Sequence, residues 1–377
     1  MRRTNGQKGI TLVALVITII ILLILAGITI SSLTNTGLFG RAKEAKEKTQ
    51  AAEEDQAKIL DEYETELNQY NEKTLVYKVN SGEIKIGDYV SYTPDTVSTD
   101  AILQELETYS GNTDSTKNTT STLTQEKDLK WRVLDVKDGK VRLISATPTT
   151  SIITLSGAKG YNNAVYLLDK TCKTLYNNSK LANNVQNLKI EDIQDYLIYD
   201  YTQYENTSVN TGKYGGTKEY TTDKNYPNIF EKEKIGWVDG KQGTELGLSE
   251  QTDPINETST LAGTSIKITQ TYWNKLMTSS DFKDSKYYEL FINNGSNYTT
   301  YWMSSRCINA YSDNAAYFGI RMVHSGSIHA NGSYYSGDRE YSDDYAFRPI
   351  ITLNSNVQLD TANSGDGSTA EHAYVIK

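Results

Sequence analysis

Proline and cysteine are both scarce in this chain of 377 residues. With only 5 prolines, a stiff proline-rich spacer is excluded, since such a spacer needs proline along its whole length. The two cysteines, Cys172 and Cys307, lie far apart and match no metal-ligand spacing. They fit either one disulfide or two unpaired buried thiols, because sequence alone does not show proximity. We therefore expect no cofactor and no metal site.

Positive charge is also in deficit, and phenylalanine is rare. The net charge of −9 argues against a nucleic-acid partner, which favours a basic face. Hydrophobic residues make up 37% of the chain, and one N-terminal run takes a disproportionate share of them. The remainder is polar, with 28 Tyr against 6 Phe. Tyrosine combines apolar area with a polar tip, so this composition is typical of exposed aromatic surfaces.

The apolar run extends from Ile10 to Ile30 without a charged residue. As a helix it would be about 30 Å long, the thickness of the hydrocarbon core of a bilayer, which predicts a transmembrane helix over 10–30. Arg2, Arg3 and Lys8 precede it, so we expect a single-pass cell-membrane protein with a cytoplasmic N-terminus and an extracellular C-terminal part. A signal peptide is the alternative: its apolar region is normally shorter, but Ala26-Gly27 resembles its cleavage site.

The segment Lys8–Leu15, KGITLVAL, resembles the cleavage and methylation motif of type IV prepilins and type II secretion pseudopilins. This resemblance implies a leader over 1–9 that prepilin peptidase cuts after Gly9, followed by methylation of Ile10. It also implies membrane lipid and other pilins as partners. The family usually has glutamate at the fifth mature position, where this chain has Ala14. That difference argues against filament assembly more than against processing.

A stalk helix is expected over 31–74. The stretch Arg41–Lys73 is dominated by Ala, Glu, Lys and Gln and contains neither Pro nor Gly, which strongly favours helix. Its apolar stripe is narrow and spans few heptads, with members Ile59, Leu60, Tyr63 and Leu67. The pattern indicates a solvated charged helix rather than a coiled coil.

Short strands and polar loops are expected from 75 to 360, with a tail or strand over 361–377. Alternation in Leu129–Ser145 about the turn Lys137–Lys140 predicts a β-hairpin. The stretch Asn162–Asp200 is amphipathic and predicts helix, whereas Tyr201–Thr260 is rich in Tyr, Thr, Gly and Asn and predicts long loops. Asn363–Gly367 is acidic but lacks an EF-hand order, so a solvated loop is favoured over a calcium site.

The stretch 302–353 combines apolar residues at strand spacing with polar residues between them. The pattern predicts short antiparallel strands, with Trp302, Phe318 and Phe347 in their scaffold. The order WRVLDV, GKVRLIS, YWMSSR, FGIR, FRPIITL resembles an exported bacterial module related to C-type lectin-like and formylglycine-generating folds. The resemblance implies an α+β fold: a long N-terminal transmembrane and stalk helix, then a C-type lectin-like mixed head with short antiparallel strands and long loops.

Some relatives of that fold are variable target proteins of diversity-generating retroelements, in which adenine-containing codons near the C-terminus are rewritten. The segment Asn309–Tyr335 has the residue types that such rewriting produces. The candidate ligand-binding residues are Asn309, Tyr311, Asp313, Asn314, Tyr317, Gly319, His324, Ser327, His329, Asn331, Ser333 and Tyr335. The residues between them are expected to form a fixed scaffold: Ala310, Phe318, Ile320, Val323, Gly326, Ile328 and Ala330.

An enzyme is not expected. The formylglycine-generating relatives use a cysteine-based metal site, and Cys307 is the only cysteine in this segment. His324 and His329 are five positions apart, which on a single strand places them on opposite faces. The sequence thus predicts a membrane-anchored, pilin-like adhesin or receptor for a protein, glycan or phage. The alternative is a minor pilin or pseudopilin of a type IV pilus or type II secretion-like filament.

Overall fold

The computed structural model describes residues 38–198, 217–221, 237–238, 251–256, 265–269, 274–293, 300–312, 315–335 and 339–377. The chain divides into two compact units, with the division between Leu67 and Asn68. The fold is α+β, and its largest sheet is mixed.

One long helix, α1, extends over Leu38–Gln69 and is 32 residues long. It forms where Ala, Glu, Lys and Gln dominate, because these side chains lose little freedom in a helix. The helix predicted over Arg41–Lys73 is therefore confirmed as far as Gln69, where α1 ends. Its apolar stripe stays exposed: Tyr63 retains 65% of its accessible surface and Leu67 retains 73%.

The predicted membrane helix and single-pass localisation need correction. Within the ranges that the structure describes, no helix is both long enough and apolar enough to cross a bilayer. The longest of them, α1, has the required length but a charged sequence, and charged side chains are costly in hydrocarbon. This finding contradicts the predicted fold class, with its transmembrane helix, and the predicted localisation, and neither is carried further. The predicted span over 10–30 and the cleavage site at Gly9 and Ile10 lie outside the described residues.

The second unit combines short helices with several sheets. Its described helices are α2 (Leu75–Asn80), α3 (Asp100–Tyr109), α4 (Gly157–Tyr176), α5 (Ile190–Gln194) and α6 (Ser285–Phe291). Its described strands are β1 (Tyr89–Ser91), β2 (Trp131–Lys137), β3 (Lys140–Ser145), β4 (Ile153–Ser156), β5 (Ala182–Asn187), β6 (Thr217–Thr221), β7 (Trp237–Val238), β8 (Ser265–Thr269), β9 (Lys275–Leu276), β10 (Tyr301–Ser312), β11 (Ala315–His324), β12 (Ser327–Tyr335), β13 (Arg339–Glu340), β14 (Ser342–Tyr345), β15 (Pro349–Leu353) and β16 (Tyr374–Val375).

The largest sheet has six strands in the order β16-β1-β2-β3-β15-β5. Its β2–β3 hairpin is the one predicted from sequence, with Lys137 paired to Lys140. Asp138 and Gly139 form the turn at φ of 50° and 67°, the left-handed region that Asp and Gly tolerate best in two-residue hairpin loops. The pair β1–β16 is parallel and the other pairs are antiparallel. Helix α4 packs on this sheet in one hydrophobic core.

The helix predicted over Asn162–Asp200 is only partly correct. Helix α4 ends at Tyr176, and the chain then returns as strand β5. The Asn178 side chain accepts hydrogen bonds from the backbone of Lys180 and Leu181, both at 2.9 Å, and thereby fixes the turn. Val185, which helical periodicity places in the helix, instead pairs with Ile351 in the sheet.

A second sheet carries the C-terminal segment singled out by sequence. Its order is β10-β11-β12-β13, and β9 also pairs with β12. A second hydrophobic core lies against it, formed with α6 and the loop before that helix. Two further small sheets pair β14 with β4 and arrange β6, β8 and β7 in the order β6-β8-β7.

Buried polar side chains connect the two large sheets. Arg348 is fully buried just before β15, and its guanidinium donates to the carbonyls of Ser145 at 3.0 Å and Phe291 at 3.2 Å. Asn187 at the end of β5 accepts from the backbone N–H of Arg348 at 2.7 Å and donates to the carbonyl of Trp302 at 3.0 Å. We call Asn187, Trp302 and Arg348 the sheet junction. It sets where β10 begins relative to β5 and β15.

Replacing Arg348 with methionine should be strongly destabilising. Arg348→Met keeps apolar bulk but removes the guanidinium from the buried Ser145 carbonyl and leaves the Phe291 carbonyl with the Tyr301 hydroxyl, so we expect the free energy of unfolding to fall by roughly 3 kcal/mol. Arg339→Met, at an exposed position on β13, is the matched control and should stay within about 0.5 kcal/mol. Urea unfolding measures both variants. If the free energy of unfolding falls equally in both variants, the hydrogen bonds of Arg348 do not stabilise the fold more than an exposed arginine does.

Candidate ligand-binding hairpin

Strand β11 lies at the centre of the candidate site, and both of its faces are largely covered. On one face Phe318 packs edge-on against Tyr161 of α4, with ring centroids 5.5 Å apart. On the other face Val323 joins the second hydrophobic core. The scaffold residues Phe318, Ile320, Val323, Ile328 and Ala330 are all buried, as predicted.

Two predicted binding residues, Gly319 and Ser333, are themselves buried. Ser333 retains 2% of its accessible surface. Gly319 lies in a close approach of neighbouring strands: a Cβ there would be 2.4 Å from the Asn331 carbonyl oxygen and 3.1 Å from the Cys307 sulfur. Glycine at 319 is therefore required by packing, since any side chain would collide with backbone.

Three predicted residues, His324, Ser327 and His329, come together at the hairpin end of the sheet, and we call them the histidine patch. The two histidine rings lie on the same face, with centroids 6.0 Å apart. The expectation of opposite faces is wrong, because a two-residue turn at Ser325-Gly326 separates the histidines into adjacent strands. Cross-strand register, not spacing along one strand, sets their relation.

Two residues outside the predicted set hold this patch. Asn274 contacts the His329 ring nitrogen Nε2 at 3.3 Å and accepts from the backbone N–H of Ala330 at 2.8 Å. Thr300 contacts the His324 ring nitrogen Nδ1 at 2.7 Å. Sequence offered no signal for either residue, since each precedes the hairpin and reaches it only through the tertiary fold.

At the opposite end of the hairpin, Tyr317 and Tyr335 form a second cluster. Their rings are 4.8 Å apart between centroids, and both side chains are partly exposed. Gly332 lies beneath Tyr317: a Cβ at that position would be 3.1 Å from the ring. Tyr317, Gly332 and Tyr335 are called the tyrosine patch. Asn309 is the Cα partner of Tyr317 on β10, so it continues this row across the sheet.

The two patches do not form one continuous surface. His324 lies seven positions along the strand from Tyr317, a distance of about 23 Å. The patches also lie on opposite faces of β11, because odd and even positions alternate along a strand. Asn331 lies between them and donates to the Asp343 carboxylate at 2.8 Å. The side chains of Asn309 and Tyr311, and all of Asp313 and Asn314, are outside the described residues.

The described side chains of the two patches supply phenol, hydroxyl and imidazole groups. In the part of the chain that the structure describes, no three His, Cys, Asp or Glu side chains are grouped to hold a metal ion. Cys172 and Cys307 are buried free thiols, and burial raises the pKa of both, that of Cys307 to about 11, so both are protonated at neutral pH.

A buried charge cluster elsewhere is enclosed by its own partners. Arg142 donates to the carboxylates of both Asp135 and Asp192, and the Tyr196 hydroxyl also donates to Asp135. Burial and the neighbouring Asp135 carboxylate raise the pKa of Tyr196 above its ordinary value. One guanidinium bridges two buried carboxylates, and the Tyr196 hydroxyl adds a further hydrogen bond to Asp135, so the members of the cluster bind one another.

No protein-family model, curated protein or solved structure matches this chain. The prepilin-like and C-type lectin-like resemblances therefore have no support from known proteins.

The histidine patch predicts a pH dependence of stability. Burial, and next the neighbouring His324, lower the pKa of His329 below its ordinary value of 6.5. The His329 imidazole therefore takes up a proton more readily in the unfolded chain than in the folded chain. The contribution of neutral His329 to the free energy of unfolding is complete above pH 6.5. It is lost as the pH falls from 6.5 through the lower pKa of His329 in the folded chain.

Stability measured by urea unfolding should fall over that pH interval in the native sequence, and the fall should be smaller in His329→Gln. His372→Gln, which removes a histidine outside the hairpin, should retain the native slope. An unchanged slope in His329→Gln would refute this assignment.

Proposed function

We propose that this chain is a binding protein that recognises a partner macromolecule without catalysis, through the tyrosine patch of the β11–β12 hairpin. The observation that carries the proposal is the Tyr317–Tyr335 pair: two partly exposed rings, 4.8 Å apart, on adjacent strands whose neighbouring residues Phe318 and Tyr334 are buried. Rigid aromatic side chains give large contact area at low entropic cost, as they do in antibody paratopes.

The strand frame supports this proposal because it fixes where the rings lie. Phe318 and Tyr334 are buried cross-strand partners immediately beside the tyrosine patch. Their position is held from the α4 side by Tyr161. A binding surface built on strands is already ordered before a partner binds. Less free energy is therefore spent on ordering it than on ordering a flexible loop.

The same arrangement suits a surface whose side chains vary. Exposed and half-exposed positions such as Tyr317, Tyr335 and His324 can change without disturbing the core, whereas Phe318 and Ile320 cannot. We propose that the gene is diversified at these outward positions. Gly319 is an exception, since its packing tolerates no side chain.

The binding proposal predicts the behaviour of a double variant. A random peptide library displayed on phage is selected against the full chain, and the selected clones are measured on Tyr317→Ala/Tyr335→Ala. We expect binding at least roughly tenfold weaker, since aromatic anchors dominate such interfaces. Tyr341→Ala removes a tyrosine that is 40% exposed outside the patch and should bind like the native chain.

Thermal unfolding of the same variants provides the second arm of this experiment. Loss of binding with an unchanged unfolding temperature supports the tyrosine patch. Equal binding by native chain and double variant contradicts it, and so does a loss of stability large enough to unfold the hairpin.

The diversification proposal is tested by the DNA. The gene's 3′ region should contain adenine-rich codons at the outward positions, with a near-identical template repeat and a reverse transcriptase gene nearby. Sequences from several isolates should differ at Tyr317 and Tyr335 codons while Phe318 and Ile320 codons stay constant. A locus without repeat and reverse transcriptase would rule diversification out.

A further inference from the structure

A polar cleft of about 750 Å³ opens between helix α4 and strand β5. Its volume falls in the range of about 300–1,000 Å³ that is typical of small-ligand sites. None of the residues of the tyrosine or histidine patches lines it. The cleft is therefore a separate feature, on the six-stranded sheet rather than on the hairpin.

The cleft carries excess positive charge. Lys189 and Asp169 form an ion pair at 3.1 Å, and Asp169 also accepts from the backbone N–H of Asn187 at 3.0 Å, so these two charges cancel. Lys170 and Lys173 lie one helical turn apart on α4, and both are exposed. Neither forms an ion pair with a residue that the structure describes. Two ammonium groups are thus left to attract anions in a chain of net charge −9.

Amides and hydroxyls make up most of the remaining lining. They are contributed by α4, by β5 and by the short segment near Gln251: Thr174, Asn177, Asn184, Gln186, Gln251 and Thr252. Such groups both donate and accept, which suits ligand hydroxyls. The apolar lining residues are buried and expose little surface to the cleft: Val185 retains 2% of its accessible surface and Tyr166 retains 8%.

The edge of β5 is poorly suited to an added peptide strand. The outward backbone N–H of Asn187 is already bound by Asp169. The pairing of β5 with β15 is also irregular, with a register shift between Thr352 and Leu353. A peptide strand needs a continuous row of free backbone groups, and the N–H of Asn187 is not free on this edge.

We propose that the cleft binds an acidic oligosaccharide. Lys170 and Lys173 would pair with its carboxylates in charge-assisted hydrogen bonds, and Asn184, Gln186 and the neighbouring hydroxyls with its hydroxyls. The ion pair of Lys189 and Asp169 forms part of the floor and keeps the wall between α4 and β5 in place.

The experiment is a calorimetric titration of the full chain with trigalacturonic acid, with neutral trigalactose in parallel. We expect the acid to bind and the neutral sugar to bind roughly tenfold more weakly, with an affinity for the acid that falls as salt rises. Lys170→Gln/Lys173→Gln should weaken acid binding roughly tenfold and flatten the salt dependence. Asn184→Ala/Gln186→Ala should weaken binding while leaving the salt dependence unchanged.

Lys85→Gln/Lys180→Gln, which removes two exposed lysines outside the cleft, is the charge-matched control and should bind like the native chain. The proposal is overturned by no measurable binding at millimolar sugar, by equal binding in the cleft and control variants, or by tighter binding of hexaglutamate than of the sugar. The last outcome would assign the lysines to acidic peptides. Thermal unfolding of each variant confirms that the fold is retained.

Discussion

The sheet junction of Asn187, Trp302 and Arg348 is the constraint on which the rest of the second unit depends. Asn187 is near the middle of the chain, whereas Trp302 and Arg348 flank the hairpin strands. Hydrogen bonds of 2.7 Å and 3.0 Å from one buried asparagine hold both flanks. Because all three side chains are withdrawn from water, a lost partner leaves buried polar groups unsatisfied, and that cost makes the arrangement specific.

This constraint determines which surfaces remain for binding. Helix α4 covers one face of β11 through Tyr161, and the second hydrophobic core covers part of the other. The accessible side chains of the hairpin include Tyr317 at one end and His324 at the other. Helix α4 also forms a wall of the polar cleft, so the same element fixes the hairpin from one side and the cleft from the other.

Local pattern was enough to predict part of this fold. The charged helix α1, the β2–β3 hairpin and the burial of Phe318 and Ile320 follow from composition and periodicity over a few residues. Strand β5 could not be predicted in this way, because Val185 becomes a strand residue only by pairing with the distant Ile351. Tertiary pairing overrode a helical pattern there.

The sequence indicated which residues of the hairpin are candidates for binding, but not how they are arranged in space. Alternation along a strand identifies inward and outward residues, yet it does not show that a turn at Ser325-Gly326 brings two histidines to one face. Nor does it show that Gly319 is fixed by the Cys307 and Asn331 strands on either side. The cleft had no sequence signal, since its lysines look like solvated positions of an amphipathic helix until β5 is placed beside them.

Binding through the tyrosine patch requires that Tyr317 and Tyr335 contact the partner. Hydroxyl-radical footprinting of the chain with and without a selected binding peptide tests it directly, because oxidation of a tyrosine ring reports its contact with solvent. We expect Tyr317 and Tyr335 to become protected on binding, while the exposed Tyr341 is oxidised at the same rate with and without the peptide. Unchanged oxidation of Tyr317 and Tyr335 in the saturated complex would contradict it.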